Sequence, residues 1–119
     1  MRENPDLLEI WGDGTQTRDF IFVDDQIEGI FRHLDFNGEL LNISSGASAS
    51  IKEVVNILAE LMDYKGKIVF DASKNAGVAN RRINVSLASQ TTGWPNNFQL
   101  HTLREGLLKT VNAFKQNHA

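Results

Sequence analysis

The spacing of apolar residues changes character several times along the chain, and each change marks an expected element. A short apolar run at 7–11 reads as a strand. Gly12-Asp13-Gly14 then turns the chain, with two glycines free to take backbone angles that other residues avoid. Residues 19–23, aromatic and β-branched, read as a second strand. Ile27, Ile30, Phe31 and Leu34 fall at i, i+3, i+4 and i+7 and predict a helix over 25–34. Asp25 is its expected N-cap, with Glu28 three residues on, and Asn37-Gly38 follows its end. Residues 40–43 predict a short strand, and 44–48 a small-residue loop. Ser50 and Glu53 form a capping box before a stripe of Ile51, Val54, Val55, Leu58, Leu61 and Met62. Tyr64-Lys65-Gly66 supplies a glycine stop for that helix. A strand is predicted at 67–70 and a polar loop at 71–82. Residues 83–85 suggest another short strand, and 86–90 one helical turn capped by Ser86. After the break at Gly93-Trp94-Pro95, a last helix starts near Thr102 with Glu105 completing its cap. Leu103, Leu107, Val111 and Phe114 form its core face. Gly106 inside that helix costs roughly 1 kcal/mol against Ala, which a close helix contact would explain.

Strands and helices alternate, but the strands are few and short. The expected class is α/β, in the form of an α+β partial layer with three main helices. At 119 residues the chain is the size of a single domain, 1–119. The net charge of −3 argues against a nucleic-acid partner, which would favour a basic stripe. With no cysteine there is no disulfide, thiol nucleophile or Cys-based zinc site. His33, His101 and His118 are far apart and lack metal-ligand spacing. The first residues have no apolar stretch of the signal-peptide kind, and no run approaches the ~20 apolar residues of a membrane helix. The expected address is cytoplasmic, with no membrane partner.

Candidate chemistry concentrates in two stretches. Arg18 follows the glycine turn at the mouth of a strand, where a cation can reach a phosphate held in a cleft. Lys74 and Arg81 are seven apart on the glycine-containing loop 71–82. On spacing and charge alone, these read as ordinary surface cations. Ser44-Ser45-Gly46 lacks both common glycine-rich phosphate-binding patterns and reads as a turn. Asp25 reads as a helix cap and Asp24 as a loop acid bonding local backbone, so the two are not paired catalytic carboxylates.

The run WGDGTQTRDFIFVDD over 11–25 fits W-G-x-G-T-x-x-R-[DE]-F-[IL]-x-V-D-D. That pattern resembles a signature of the extended short-chain dehydrogenase/reductases, the NAD-dependent epimerase/dehydratase family of nucleotide-sugar enzymes. The run at 64–74 is similar to the corresponding stretch of the GDP-L-fucose synthases of that family. Gly77 aligns with the glycine of the family's loop, and Gly93-Trp94 and the terminal Glu105-Gly106-Leu107 resemble the family ending, where Trp94 is a packing residue. Asn80 and Asn84 stand where those enzymes carry an arginine and an aspartate.

The resemblance implies the C-terminal, substrate-binding portion of such an enzyme, without its N-terminal Rossmann domain. Trp11 and Arg18 would line a nucleotide-sugar pocket, Arg81 would contact the diphosphate, and Lys74 would be an accessory cation. No catalytic residue is expected. Tyr64 is the sole tyrosine and Ile68 lies four residues on, so the family's Tyr-x-x-x-Lys pair is absent. No cofactor is expected in this chain, since NADP would be held by the missing domain. The expected partners are a nucleotide-diphosphate sugar, a separate nucleotide-binding domain, and a second copy in a homodimer that buries the uncovered apolar surface. The alternative is a stand-alone binding or interaction module, or a truncated gene product with no enzymatic role.

Overall fold

The computed structural model describes residues 6–38 and 40–118. Its elements are β1 (Leu7–Trp11), β2 (Thr17–Asp19), α1 (Val23–Arg32), β3 (Ser48–Ser50), α2 (Ile51–Leu61), β4 (Lys67–Asp71), α3 (Ser86–Thr92) and α4 (Leu103–Asn117). β1 and β4 pair in parallel, with Leu7 opposite Lys67 and Trp11 opposite Asp71. β2 and β3 form a separate antiparallel pair, Thr17 opposite Ser50 and Asp19 opposite Ser48. The result is a mixed α/β slab, 20 Å along its shortest axis, which is about two layers of secondary structure.

The strands at 7–11 and 67–70 and the two capped helices form as expected. Ser50 Oγ accepts from Glu53 N–H at 3.1 Å, and Thr102 Oγ1 accepts from Glu105 N–H at 3.2 Å. The second strand is shifted: it covers 17–19, not 19–23, because β3 offers partners to only those three residues. Residues 40–43 and 83–85 are not strands. Asn42 reaches the 83–85 segment through its side chain, to Asn84 O, and no backbone ladder joins the two. The expected turn at 86–90 is a fourth helix, α3, which extends to Thr92. Its N-cap is Val85, and Asn84 Oδ1, not Ser86, receives the Ser86 N–H. α2 ends before Gly66, with Asp63 taking the left-handed conformation at φ 51°.

α1 departs most from its expected form. It begins at Val23, two residues early, with Phe22 as N-cap. Asp25 is therefore not a cap but a buried residue of the first turn, and Asp24 is an exposed helical residue rather than a loop acid. Glu28 makes no cap either; it pairs with Arg32 one turn on. The inner face of α1 carries Asp25, Gly29 and His33, all buried, and its apolar stripe faces outward.

The small core lies between α1, α3 and the 94–98 turn. Trp94 is fully buried and donates from Nε1 to Ser44 O at 2.8 Å. Gly29 is where α1 meets it, since a Cβ there would stand 2.8 Å from Trp94 Cη2 and 2.5 Å from Ile43 Cγ2. Val54 and Val111 carry the core beneath α2 and α4. Gly106 permits a close approach, but to Phe22 just before α1, whose Cβ would lie 3.1 Å from an added Cβ. Phe114, expected in the α4 core face, is 46% exposed and stacks on His118.

The first turn of α2 is fixed to the glycine turn. Ile51 N–H donates to Gln16 O and Lys52 N–H to Gly14 O, both at 2.9 Å. With the Ser50 cap, three of the four open donors of that helix end are taken by the protein itself.

Candidate functional site

Parallel pairing of β1 with β4 brings the 11–18 turn against the 71–82 loop. Gly12 N–H extends the pairing to Asp71 O at 2.8 Å. Gly12 has φ +94°, and a Cβ on it would lie 2.5 Å from Ala76 Cβ, so only glycine lets the loop close on the turn. Both segments are shaped by short acids. Asp13 Oδ1 accepts from Thr15 N–H and Thr15 Oγ1, and Asp71 Oδ1 does the same for Ser73. The hydroxyl of Thr15, and then its amide, hold the Asp13 carboxyl below the usual carboxylate range. Thr17 fastens the far end of the loop. Its N–H donates to Ala79 O, its carbonyl accepts from Arg81 N–H, and its Oγ1 donates to Asn80 Oδ1 at 2.9 Å.

The expected residues fall into this frame as follows. Trp11, 58% exposed, ends β1, and Lys74 Nζ stands over its ring at 5.9 Å from the centroid. The Arg18 guanidinium donates to Thr17 O at 2.6 Å and Ala76 O at 3.2 Å, which leaves donors of its five free for a ligand. Arg81 is held at its backbone, and its exposed guanidinium has no hydrogen bond among the described residues. The fold thus gathers Trp11, Lys74 and Arg18 around the near half of the loop, with Arg81 at the far half beside Thr17.

Two contributors escaped the sequence reading. Asn80, read there only as a lost arginine, anchors the loop through Thr17. Gln16 lies buried beneath the turn, donating from Nε2 to Trp11 O at 3.1 Å, while its Oε1 has no partner. A glutamine between two threonines carries no sequence signal for such a place. A separate groove of about 530 Å³ lies beyond the loop, lined by Arg82, Ser45, Ser86, Ser89, Gln90 and Asn96 among others, and none of the four expected residues lines it.

Chemically, the turn and loop offer cations and an aromatic face but no acid–base pair. His33 is buried between Gly29 O and Thr92 Oγ1, and half-buried His101 lies between Asp25 and Lys109. Among the described residues no three His, Asp or Glu side chains gather as a metal site, and no helix is long and apolar enough to cross a membrane. The Ser44-Ser45-Gly46 turn directs both hydroxyls and two amides onto the Asp19 carboxylate.

Residues 2–44 match the NAD dependent epimerase/dehydratase family. GDP-L-fucose synthase of Sinorhizobium fredii is 36% identical over 114 residues, which cover 94% of this chain and 35% of that protein. The crystal structure of UDP-glucuronic acid 4-epimerase from Bacillus cereus, in complex with UDP-glucuronic acid and NAD, superposes with a TM-score of 0.77 at 29% identity. It covers 96% of this chain and 37% of that one. A GDP-L-fucose synthetase from Naegleria fowleri bound to NADP shares the fold at a TM-score of 0.85 and 19% identity, over 94% of this chain and 35% of that one. The chain spans about a third of the length of the curated relatives it matches. The chain thus resembles the NAD dependent epimerase/dehydratase family over residues 2–44, and what it shares with the relatives it matches is a segment of mixed α/β fold that holds the 11–18 turn and the 71–82 loop.

Proposed function

We propose that this chain is the nucleotide-sugar-binding portion of an NAD(P)-dependent sugar epimerase or reductase, acts in the cytoplasm, and is not catalytic alone. The observation that carries the reading is the convergence of Arg18, Lys74 and Trp11 where the 11–18 turn meets the 71–82 loop. A planar guanidinium grips a diphosphate through paired hydrogen bonds, and an ammonium adds charge without fixed geometry. Arg18 and Arg81 would hold the diphosphate, Lys74 would assist, and Trp11 would pack against the base or sugar. None of the four would move a hydride or a proton. NADP chemistry would come from a separate nucleotide-binding domain, as the resemblance to the relatives implies.

A backbone-amide NMR titration with GDP, then UDP, tests the binding role. Shifts confined to Trp11, Arg18 and residues 74–81 are expected, larger with GDP than with UDP. A folded protein whose spectrum ignores both nucleotides would sink the reading.

A further inference from the structure

The peptide group between Trp11 and Gly12 is held from both sides. Its N–H donates to Asp71 O at 2.8 Å, and its carbonyl accepts from Gln16 Nε2 at 3.1 Å. Gln16 is itself anchored, because its backbone carbonyl accepts the Ile51 N–H at 2.9 Å and so rests on the first turn of α2. Its carboxamide packs against Gly12, where an added Cβ would lie 2.9 Å from Nε2 and 2.5 Å from Ala76 Cβ. The amide and the Ala76 methyl thus converge on one side of Gly12, at the seam between turn and loop. Ala76 in turn gives its carbonyl to Arg18 Nη2 at 3.2 Å. Gln16 is 8% exposed, so its place is fixed by this chain's own residues.

We propose that Gln16 is a positioning residue of the candidate site: its side chain ties the Trp11–Gly12 peptide to the start of α2, and so fixes where Trp11, Lys74 and Arg18 meet the nucleotide sugar. Gly12 has φ +94° and no side chain to limit rotation of its backbone. A peptide beside such a residue keeps its orientation through its hydrogen bonds. The Asp71 bond ties it to the loop, and the Gln16 bond ties it to a helix. The turn's other tie to α2, Lys52 N–H to Gly14 O, lies beyond Gly12 and does not reach this peptide. Trp11 carries its ring on the near side of the same peptide, with Lys74 Nζ over it at 5.9 Å. Glutamine suits the place by its donor. Methionine fills the same length but offers no donor to Trp11 O, and an ionised glutamate offers acceptors alone. Gln16 Oε1 has no protein partner among the described residues, so the attachment runs through Nε2. The ligand named here rests on the nucleotide-sugar reading above; the closing of the seam does not.

NMR of the intact chain tests this role. In the wild type, one Gly12 α-proton should show nuclear Overhauser contacts to both the Gln16 side-chain amide and the Ala76 methyl. Gln16→Met should speed hydrogen exchange of the Gly12 N–H roughly tenfold, the effect of losing one hydrogen bond of ordinary net strength. Exchange of the Ile51 N–H, which bonds the Gln16 backbone, should stay unchanged. GDP affinity should fall several-fold in the same variant, because Trp11 and Lys74 are no longer held in place. Absence of either contact, equal Gly12 exchange in the two proteins, or equal GDP affinity would overturn the proposal. So would equal acceleration at Gly12 and Ile51, which would make Gln16 a general stabiliser. A wild type that ignores GDP overturns the nucleotide-sugar reading instead, while selective loss of Gly12 protection in Gln16→Met still upholds the closing of the seam by Gln16.

Discussion

The buried carboxylate of Asp25 holds both ends of one residue, His101. Oδ2 accepts the His101 backbone N–H at 2.8 Å, and Oδ1 accepts ring Nδ1–H at 2.9 Å. Ring Nε2 then faces Lys109 Nζ at 2.7 Å, which requires the tautomer protonated on Nδ1. The carboxylate thereby locks the start of α4 onto the first turn of α1. Asp25→Ala leaves the amide and ring without an acceptor in a closed site. It is expected to cost about 2–3 kcal/mol in urea unfolding. His101→Ala should cost less, because the backbone bond survives. Equal losses would show that the backbone bond contributes nothing.

Gly29→Ala sets two effects against each other. Alanine favours a helix over glycine by about 1 kcal/mol. The new methyl meets Trp94, which is walled in on all sides, and Ile43. Overpacking of this kind costs about 1–3 kcal/mol, so net destabilisation is expected from thermal unfolding. A raised Tm would mean that α1 can withdraw from Trp94 freely.

α2 and α4 are tied by Glu60 and Arg104 through two hydrogen bonds of 2.9 and 3.1 Å. Those bonds, and next the guanidinium charge, hold the Glu60 carboxyl below the ordinary glutamate range. A depressed folded-state value stabilises above the unfolded pKa, and the contribution fades as pH falls through the folded value. Both side chains are more than half exposed, so the gain is small and screened by salt. Carboxyl NMR should place Glu60 below a free glutamate and return it to the ordinary range in Arg104→Ala.

Arg18→Gln should weaken binding of a nucleoside diphosphate about tenfold or more, as expected when a charge-assisted hydrogen bond is lost. Lys74→Ala should weaken it less, since its ammonium offers charge without a fixed fork. Calorimetry with GDP measures both. Equal affinity in wild type and Arg18→Gln would remove Arg18 from the site.

Local chemistry made α2 and α4 legible, because a Ser or Thr cap with its Glu partner can be read in four residues. β1 and β4 were legible as apolar runs. The 40–43 and 83–85 segments looked the same, yet a strand also needs a neighbour, and pairing is decided far away in the chain. α1 shows the limit of periodicity. The spacing of Ile27, Ile30, Phe31 and Leu34 identifies a face but says nothing of its direction, and here Gly29 and Asp25 turn inward because Trp94 and His101 await them. In the candidate site the cations stood out by charge and resemblance. The anchoring of the loop by Thr17 and Asn80 did not, since it joins residues 63 apart.

The attachment of α2 to the glycine turn bears on how any anion can be held. The amides of Ile51, Lys52 and Glu53 already face Gln16 O, Gly14 O and Ser50 Oγ. That helix end therefore offers a phosphate almost nothing, although it sits directly behind the turn. Attraction must come from the side-chain charges of Arg18, Lys74 and Arg81 at the loop, the last two exposed. Such attraction is shielded over a Debye length of about 8 Å at physiological ionic strength. Occupancy of this loop is thus coupled to the salt of its surroundings, in a way that a phosphate seated on backbone amides would not be.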